Sequence, residues 1–244
     1  MKTGGPLSRI RVVLLRPSHP GNIGAAARAM KTMGLARLVL VRPRKFPDAE
    51  ARAMASGAAD VLGSAQVFAD LDAALEGTRF SVAMSARSRA LSHPPLAARA
   101  AAQKLVRAAQ RDEVALVFGN ETVGLSNKEV MRCGRIARIP SDSAYKSLNL
   151  AQAVQVMAYE VRMAALDPGA AAPRIEYATH EEIESFYVHL ERSLHASGFL
   201  DPRNPRKLMH RLRRLFAKAR LERVEVSILR GMLAAWDECG SPRK

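Results

Sequence analysis

The sequence predicts an α/β protein with a mostly parallel sheet, followed by a small helical extension. Over residues 1–166, short apolar runs alternate with helical patterns, which is typical of a parallel sheet covered by helices on both faces. Beyond residue 166 the strand-like runs stop and three amphipathic helical patterns follow. We therefore predict a first domain over residues 1–166, a linker over 167–178 and a helical extension over 179–244.

Several short runs in the first domain have the β-branched, apolar composition of buried strands and end at glycine or proline. The predicted strands are Ile10–Leu15, Leu38–Val41, Gln66–Phe68, Phe80–Met84, Val114–Phe118 and Ile136–Ile139. Helical patterns lie between them, at Ala25–Met33, at Asp48–Ser56, after Asp70, from Pro94 to near Arg111, and after a capping box of Ser126 and Glu129. A last buried helix follows Tyr145, and its predicted first turn holds Ser147, Leu148 and Asn149.

The extension contains helical patterns at Glu181–Ser197, Lys207–Ala219 and Val224–Trp236. Between Arg203 and Arg223 the only acidic residue is Glu222, whereas basic residues are frequent. We interpret this segment as a basic stripe on a helix that contacts RNA phosphates. A solvated helix face is the alternative.

Charge gives the broadest indication of function. The chain has 244 residues with 38 Lys and Arg against 23 Asp and Glu, a net charge of +15, and such a surface favours polyanions. Nucleic acid is the stronger alternative, because no apolar run is long enough to span a membrane and the first residues lack a signal-peptide pattern. Cys133 and Cys239 lie far apart and the six histidines show no ligand spacing. We expect a reducing cytoplasm, no disulfide and no metal.

The candidate ligand site follows from the direction of the strands. In parallel sheets, ligands bind at the carboxyl ends of the strands, where the loops after Met84, Phe118 and Ile139 are rich in small residues. Such loops suit a flat, polar ligand held by main-chain groups. The loop His19–Gly24 lies at the same edge, but it lacks the Gly-x-Gly-x-x-Gly pattern, and basic residues follow the second strand. A dinucleotide-dependent dehydrogenase is therefore not predicted.

Three ordered stretches resemble the motifs of the SpoU branch of the SPOUT RNA methyltransferases. They are Ser18–Gly34, Phe118–Leu125 and Tyr145–Leu150. Residues 9–236 as a whole resemble the TrmJ-type tRNA (cytidine/uridine-2′-O-)-methyltransferase family, including Ser85–Arg89 and the helical tail. These relatives carry arginines at the positions of Asn120 and Thr122, and they carry residues other than Met84 and Lys146 at those two positions.

The resemblance implies an α/β fold with a C-terminal trefoil knot, S-adenosylmethionine as cofactor, and a homodimer with the active site near the subunit interface. It implies cofactor contacts at Met84, Ser85, Ala86, Gly119, Ile139, Lys146, Ser147 and Leu148. The functional motif residues would be Asn22, Arg28, Glu121, Ser147 and Asn149, and the candidates for binding RNA are Arg28, Arg87, Arg89, Arg211 and Arg214.

The implied reaction is methylation of a ribose 2′-hydroxyl in tRNA, at nucleotide 32 of the anticodon loop. We expect Arg28 to grip a phosphate and stabilise developing negative charge rather than act as a simple base, because a guanidinium stays protonated. Two alternatives are an enzyme acting on ribosomal RNA and a non-catalytic RNA-binding protein on the same fold. The choice between cytidine and uridine, and among tRNAs, stays open.

Overall fold

The computed structural model describes residues 5–87, 94–142, 144, 147–167, 175–201, 203 and 207–239. The chain forms two compact units, Met1–Ala172 and Pro173–Lys244. The first unit is an α/β sheet structure and the second is helical.

The first unit alternates strands and helices. Its strands are β1 Ile10–Leu15, β2 Arg37–Val41, β3 Gln66–Phe68, β4 Phe80–Met84, β5 Leu96–Ala97, β6 Val114–Phe118 and β7 Arg135–Arg138. Its α-helices are α1 Pro20–Thr32, α2 Ala49–Ala55, α3 Ala59–Gly63, α4 Leu71–Leu75, α5 Ala98–Ala109, α6 Asn127–Arg132 and α7 Leu150–Leu166, and 3-10 turns lie at Pro6–Arg9 and Ser56–Ala58. All the predicted strands are present within one residue of their predicted bounds. The prediction missed β5 and α3, which are too short to show a period.

Every strand pairing is parallel, and the strand order is β3-β2-β1-β6-β4-β7-β5. The predicted parallel sheet is therefore confirmed. In the register, Leu14 pairs with Phe118 and Ala83 pairs with Val117, so β1, β6 and β4 end side by side. The loops that follow β1, β4, β6 and β7 consequently leave the same edge of the sheet.

Strand β1, which lies inside the sheet between β2 and β6, is buried on both faces. Val12 and Leu14 pack with α1, α5 and α7, whereas Val13 and Leu15 pack with α4 and α6 on the opposite face. Full burial of each such side chain stabilises the fold by about 1.5–3 kcal/mol. The sheet is therefore packed between two apolar layers, and the loops at its carboxyl edge extend from this buried core.

Glycines allow α1 to lie directly against α2. A Cβ added to Gly24 would lie 2.0 Å from the carbonyl oxygen of Ala51, and one added to Gly21 would lie 2.6 Å from Oε1 of Glu50. Gly24 therefore needs to be glycine for this packing, whereas at Gly21 only the end of the exposed Glu50 side chain would have to move. The glycine loop of the sequence is thus explained without a dinucleotide.

Helix α7 begins later than predicted. Ser147, Leu148 and Asn149 precede the helix, which starts at Leu150. The Asn149 side chain caps it, because Oδ1 accepts hydrogen bonds from the backbone N–H groups of Ala151 at 2.8 Å and of the next residue at 3.4 Å. Asparagine favours this cap over an interior position because its amide competes for local backbone groups.

The second unit consists of α8 His180–Ala196, α9 Leu208–Ala219 and α10 Arg223–Cys239. All three predicted helices are present. The rings of Phe186 and Phe216 meet edge to face at 5.0 Å in the core of this unit, an arrangement that aromatic pairs prefer.

The basic segment of the second unit is not one continuous helical stripe. Helix α9 ends at Ala219, and Arg220 has a left-handed backbone with φ 53°. Arg213 donates two hydrogen bonds to Glu184, at 2.7 and 2.8 Å, and its guanidinium lies 4.2 Å from the ring centre of Tyr187. The predicted stripe is therefore wrong for Arg213, because this arginine is held inside its own unit.

Within the described ranges, no helix is long and apolar enough to cross a membrane. The same residues contain no group of three or more His, Cys, Asp or Glu side chains that could hold a metal ion. Cys133 is a free thiol, and burial raises its pKa to about 12. It is therefore protonated and unreactive at neutral pH.

Candidate active site

A cleft lies at the carboxyl edge of the sheet, between the loops after β4, β6 and β7 and the residues that precede α7. It is open on one side, and the space between its walls, open solvent included, is about 830 Å³. Its lining residues are Met84, Ser85, Ala86, Arg87, Phe118, Gly119, Asn120, Glu121, Thr122, Gly124, Leu125, Ile139, Ser147, Leu148, Leu150 and Ala153. The cleft lies where the sequence predicts a ligand.

The loop after β6 turns sharply and brings its backbone against the cleft. A Cβ added to Gly119 would lie 2.3 Å from the carbonyl carbon of Gly124 and from the backbone nitrogen of Leu125. Gly124 has φ 64°, and its N–H donates to the carbonyl oxygen of Asn120 at 2.8 Å. Both glycines are required by this turn, which exposes main-chain groups to a ligand.

The structure brings most of the predicted cofactor contacts together. Met84, Ser85, Ala86, Gly119, Ile139, Ser147 and Leu148 all line the cleft, and Lys146 lies outside the described residues. Among the predicted functional residues, Glu121 and Ser147 line the cleft. Asn22 and Asn149 adjoin it through hydrogen bonds.

Glu121 is the centre of a hydrogen-bond network that joins the loops after β1 and β6. Its Oε2 accepts hydrogen bonds from the backbone N–H of Ser18 at 2.9 Å and from the hydroxyl of Ser18 at 2.7 Å. Its Oε1 accepts from the backbone N–H of His19 at 3.3 Å and from Nδ2 of Asn22 at 2.9 Å. The donors around the carboxylate are therefore neutral groups.

This network controls the ionisation of Glu121. Burial alone would raise its pKa, but the hydrogen bonds from Ser18 and Asn22 outweigh burial and lower the pKa to about 2. Glu121 is therefore a carboxylate at neutral pH and places a negative charge in the wall of the cleft.

Asn22 connects Glu121 to the start of α7. Its Nδ2 donates to Glu121, and its Oδ1 accepts a hydrogen bond from Nδ2 of Asn149 at 3.0 Å. Because Asn149 also caps α7, the loops after β1 and β6 and the start of α7 are fixed relative to one another. Three of the predicted functional residues thus form one connected group.

The sequence analysis missed the role of Asn120. Its Nδ2 donates to the carbonyl oxygen of Arg16 at 2.8 Å, and its Oδ1 accepts from the backbone N–H groups of Thr122 at 2.9 Å and Val123 at 3.2 Å. An asparagine in a short loop that begins and ends with glycine, Gly119 and Gly124, is a turn signal. This signal could have predicted the local bonds. The bond to Arg16 joins distant parts of the chain.

Arg16 and Glu129 form a second link that the sequence analysis missed. Both terminal nitrogens of Arg16 donate to the carboxylate of Glu129, and the same carboxylate accepts from the backbone N–H of Ser126 at 2.7 Å. The predicted capping box of Ser126 and Glu129 is confirmed. The box therefore also anchors the loop after β1.

The predicted RNA-binding arginines lie in several places. Arg87 lines the cleft, whereas Arg28 is exposed on α1 and is not among the lining residues. Arg89 lies outside the described residues. In the second unit, Arg211 is exposed and Arg214 is half-buried.

Comparison with known proteins gives the family. Residues 9–159 match the SpoU rRNA Methylase family, and residues 181–243 match the C-terminal domain of the tRNA methyltransferase TrmJ. The chain is 49% identical over 238 residues to a Klebsiella pneumoniae tRNA (cytidine/uridine-2′-O-)-methyltransferase TrmJ, covering 95% of this chain and 98% of that protein. It is 48% identical to a Pseudomonas aeruginosa tRNA (cytidine/uridine/adenosine-2′-O-)-methyltransferase TrmJ, covering 93% of each chain.

A solved structure agrees with these matches. The crystal structure of TrmJ from Z. mobilis ZM4 superposes with a TM-score of 0.82 at 34% identity, covering 93% of this chain and 98% of that one. Because the SpoU match covers more than half of the chain and its relatives align along nearly the whole length, this chain belongs to the SpoU methylase family and, within it, to the TrmJ group.

Proposed function

We propose that this chain is an S-adenosylmethionine-dependent methyltransferase that modifies the ribose 2′-hydroxyl of a cytidine or uridine in tRNA. The observation that carries the proposal is the connected group of Asn22, Glu121 and Asn149 beside the cleft at the carboxyl edge of the sheet. Relatives that share about half of its residues are named for this activity.

The residues of the cleft fit the proposed cofactor. Gly119 and Gly124 allow close approach of a ligand to the backbone, while Leu150 and Ala153 provide apolar surface for a flat ring. The Glu121 carboxylate complements a positively charged ligand. When bound, S-adenosylmethionine supplies an activated methyl group on a sulfonium centre. The predicted contacts at Met84, Ser85, Ala86, Gly119, Ile139, Lys146, Ser147 and Leu148 remain part of this proposal.

The residues around Glu121 contribute by positioning. Methyl transfer needs the attacking hydroxyl in line with the methyl group, and correct placement can supply about 7–11 kcal/mol of the barrier. The bonds that Asn22 donates to Glu121 and that Asn149 donates to Asn22 fix the segments that border the cleft. Ser147 is exposed at the same border and is available to the incoming ribose.

Arg28 is proposed to hold the phosphate next to the modified ribose and to stabilise negative charge as the hydroxyl loses its proton. Its side chain is exposed, and in the part of the chain that the structure describes its guanidinium has no hydrogen-bond or ion-pair partner. The proton is released to water or to a phosphate, because a guanidinium does not accept it.

The active form is proposed to be a homodimer with the site near the subunit interface. Helix α7 carries Val156, Tyr159, Met163 and Leu166 at alternating spacings of three and four residues. Val156 is half-buried, and Tyr159, Met163 and Leu166 are 48%, 45% and 62% exposed. Such a stripe suits packing against a second helix. The position of Arg28 outside the lining of its own cleft also favours a site completed by a second copy.

Three finer features complete the proposal. The C-terminal part of the first unit forms a trefoil knot, the substrate is nucleotide 32 of the anticodon loop, and the protein acts in the cytoplasm. Arg87 and Arg89, with Arg211 and Arg214 of the second unit, bind the tRNA backbone. The net charge of +15 supports a polyanionic substrate.

Methyl transfer from labelled S-adenosylmethionine to unmodified tRNA, followed by nucleoside mass spectrometry, tests the proposal. We expect a 2′-O-methylated pyrimidine at position 32, and we expect the Arg28→Ala variant to lose it. Arg28→Lys should also lose most activity, since lysine lacks the planar fork. Arg107→Ala, which removes an exposed arginine of α5, is the matched control and should keep full activity.

The same assay separates the alternatives. Incorporation into ribosomal RNA but not tRNA would indicate a ribosomal RNA enzyme. Cofactor binding without methylation of either RNA would point to a different substrate. The absence of both cofactor binding and methylation would favour a non-catalytic RNA-binding protein.

A further inference from the structure

The arginines at the amino edge of the sheet, where the strands begin, are held by the protein itself. Arg9 donates to backbone carbonyl oxygens at the end of α5, and Arg79 pairs with Asp112. Arg11 and Arg37 both pair with Glu113. These arginines have structural partners and are not available to an external anion.

The loop between β2 and α2, at the opposite edge, carries three basic residues that are more accessible to an external anion. Arg42, Arg44 and Lys45 are all exposed. The guanidinium of Arg44 has no hydrogen-bond or ion-pair partner among the residues described. Lys45 pairs with Asp48 at 2.8 Å, but its side chain is 71% exposed, so its charge remains accessible to solvent.

This loop is braced against the catalytic loops. Arg42 has a left-handed backbone with φ 48°, which is unfavourable for a residue other than glycine and tends to occur at functional sites. Its Nε donates to the carbonyl oxygen of Ala69. The backbone N–H of Arg44 donates to the carbonyl oxygen of Pro17 at 3.0 Å, and the next residue, Ser18, donates to Glu121.

The distance from the cleft suits a neighbouring part of the same substrate. Strand β2 lies two positions from β6 in the sheet, which corresponds to roughly 10 Å at the usual strand spacing. A ligand that extends from the cleft along this edge would therefore pass the β2–α2 loop. The loop carries exposed positive charge, so phosphate is the chemical group that it fits.

We propose that Arg42, Arg44 and Lys45 form a second phosphate-binding surface, which grips the tRNA backbone beside the modified nucleotide. This inference rests on the proposed function, because it takes tRNA as the substrate. The surface contributes affinity and register for the substrate, whereas Glu121 and its partners serve the reaction. Its removal should raise the KM for tRNA and leave kcat unchanged.

The test compares Arg44→Gln with Arg107→Gln in the full-length protein. Each variant removes one exposed guanidinium that lacks a protein partner in the described ranges, but Arg107 lies in the last turn of α5, which leads to the amino end of β6. Dissociation constants for unmodified tRNA are measured over a series of salt concentrations. Arg44→Gln should weaken binding roughly 3- to 10-fold and reduce the slope of log K against log salt by about 1.

A second variant strengthens the test. Arg42→Gln/Arg44→Gln should reduce the slope by about 2, while Arg107→Gln should match the wild type. Binding of S-adenosylmethionine and the melting temperature establish that each variant is folded. Normal cofactor binding together with wild-type tRNA affinity and slope in both loop variants would overturn the inference alone. A wild-type protein that does not methylate tRNA would overturn the proposed function, and the inference with it.

Discussion

Two glutamates at opposite edges of the sheet show how the same side chain serves different purposes. Glu113, at the amino edge, pairs with Arg11 and Arg37, so its charge is neutralised by cations. Glu121, at the carboxyl edge, is held by the neutral donors of Ser18, His19 and Asn22. A carboxylate that is paired with arginines links structural elements. A carboxylate that is held by neutral donors has no cation to offset its charge, so it can attract a positively charged ligand. We therefore expect substitution of Glu121 to impair catalysis and substitution of Glu113 to affect stability alone.

The largest effect should come from changing Glu121 itself. In Glu121→Gln the new amide N–H₂ faces donors instead of accepting from them, so the segment from Ser18 to the first turn of α1 shifts. We expect kcat to fall about 100-fold, a loss that a misplacement near 1 Å can cause, and cofactor affinity to fall as well. Methyl transfer kinetics and calorimetry measure both quantities. Glu113→Gln is the matched control and should lower the melting temperature without changing kcat, and a 100-fold loss in that control would contradict the comparison.

A somewhat smaller effect should follow from closing the backbone turn of the cleft. In Gly119→Ala the added Cβ would meet the backbone of Gly124 at 2.3 Å, and relief of such a clash costs about 1–3 kcal/mol. We expect cofactor affinity to fall about tenfold or more, measured by calorimetry. Gly63→Ala is the control, since nothing lies within 4 Å of the added carbon there. Unchanged affinity in Gly119→Ala would show that this turn does not contact the cofactor.

The ionisation of Glu121 gives a prediction for stability against pH. Its pKa in the folded protein is lowered from 4.5 to about 2, so the carboxylate form stabilises the fold above pH 4.5. That contribution should decline as the pH falls through this window and should be absent below about 2. The difference in unfolding free energy between wild type and Glu121→Gln, measured by denaturant titration, should therefore shrink between these values. A difference that stays constant with pH would contradict the assigned network.

The smallest effect should come from the ion pair between Arg16 and Glu129. Glu129 lies at the carboxyl edge but has a cationic partner, so the comparison predicts a structural role for it. Because the pair is partly exposed, Arg16→Gln should lower the unfolding free energy by about 1 kcal/mol or less and leave kcat within about threefold. Thermal melts and initial rates provide the readout. A large loss of kcat with normal stability would show that Arg16 contributes to catalysis. It would contradict the inference from Glu113 that a glutamate paired with arginine has a structural role.

Sequence patterns predicted the sheet well because its signals are local. Strands such as Val114–Phe118 are uninterrupted β-branched and apolar runs that end at glycine, and their bounds follow from composition. The position of the cleft loops could be predicted as well, since parallel strands place their carboxyl ends at the same edge of the sheet. The start of α7 was not, because Asn149 was assigned to the first turn instead of the cap.

Interactions between distant residues had no sequence signal. The bonds from Ser18 and Asn22 to Glu121 span about a hundred residues, and only the family resemblance marked these positions. The charge pattern groups Arg213 with a basic surface, whereas its two hydrogen bonds to Glu184 hold it inside the second unit. Charge patterns predict which residues are basic, but their partners depend on the folded structure.

The cap of α7 restricts which side chain the position can carry. Serine and aspartate begin helices about as well as asparagine, because all three offer an oxygen to the first backbone N–H groups. Neither has an N–H₂ group, and Asn149 uses its own to bind Asn22 at 3.0 Å while its oxygen caps the helix. Aspartate has no donor, and serine has its donor and its acceptor on a single oxygen, whereas asparagine provides them on two separate atoms. Replacing Asn149 with aspartate would therefore keep α7 intact while disconnecting it from the first turn of α1, which carries Asn22.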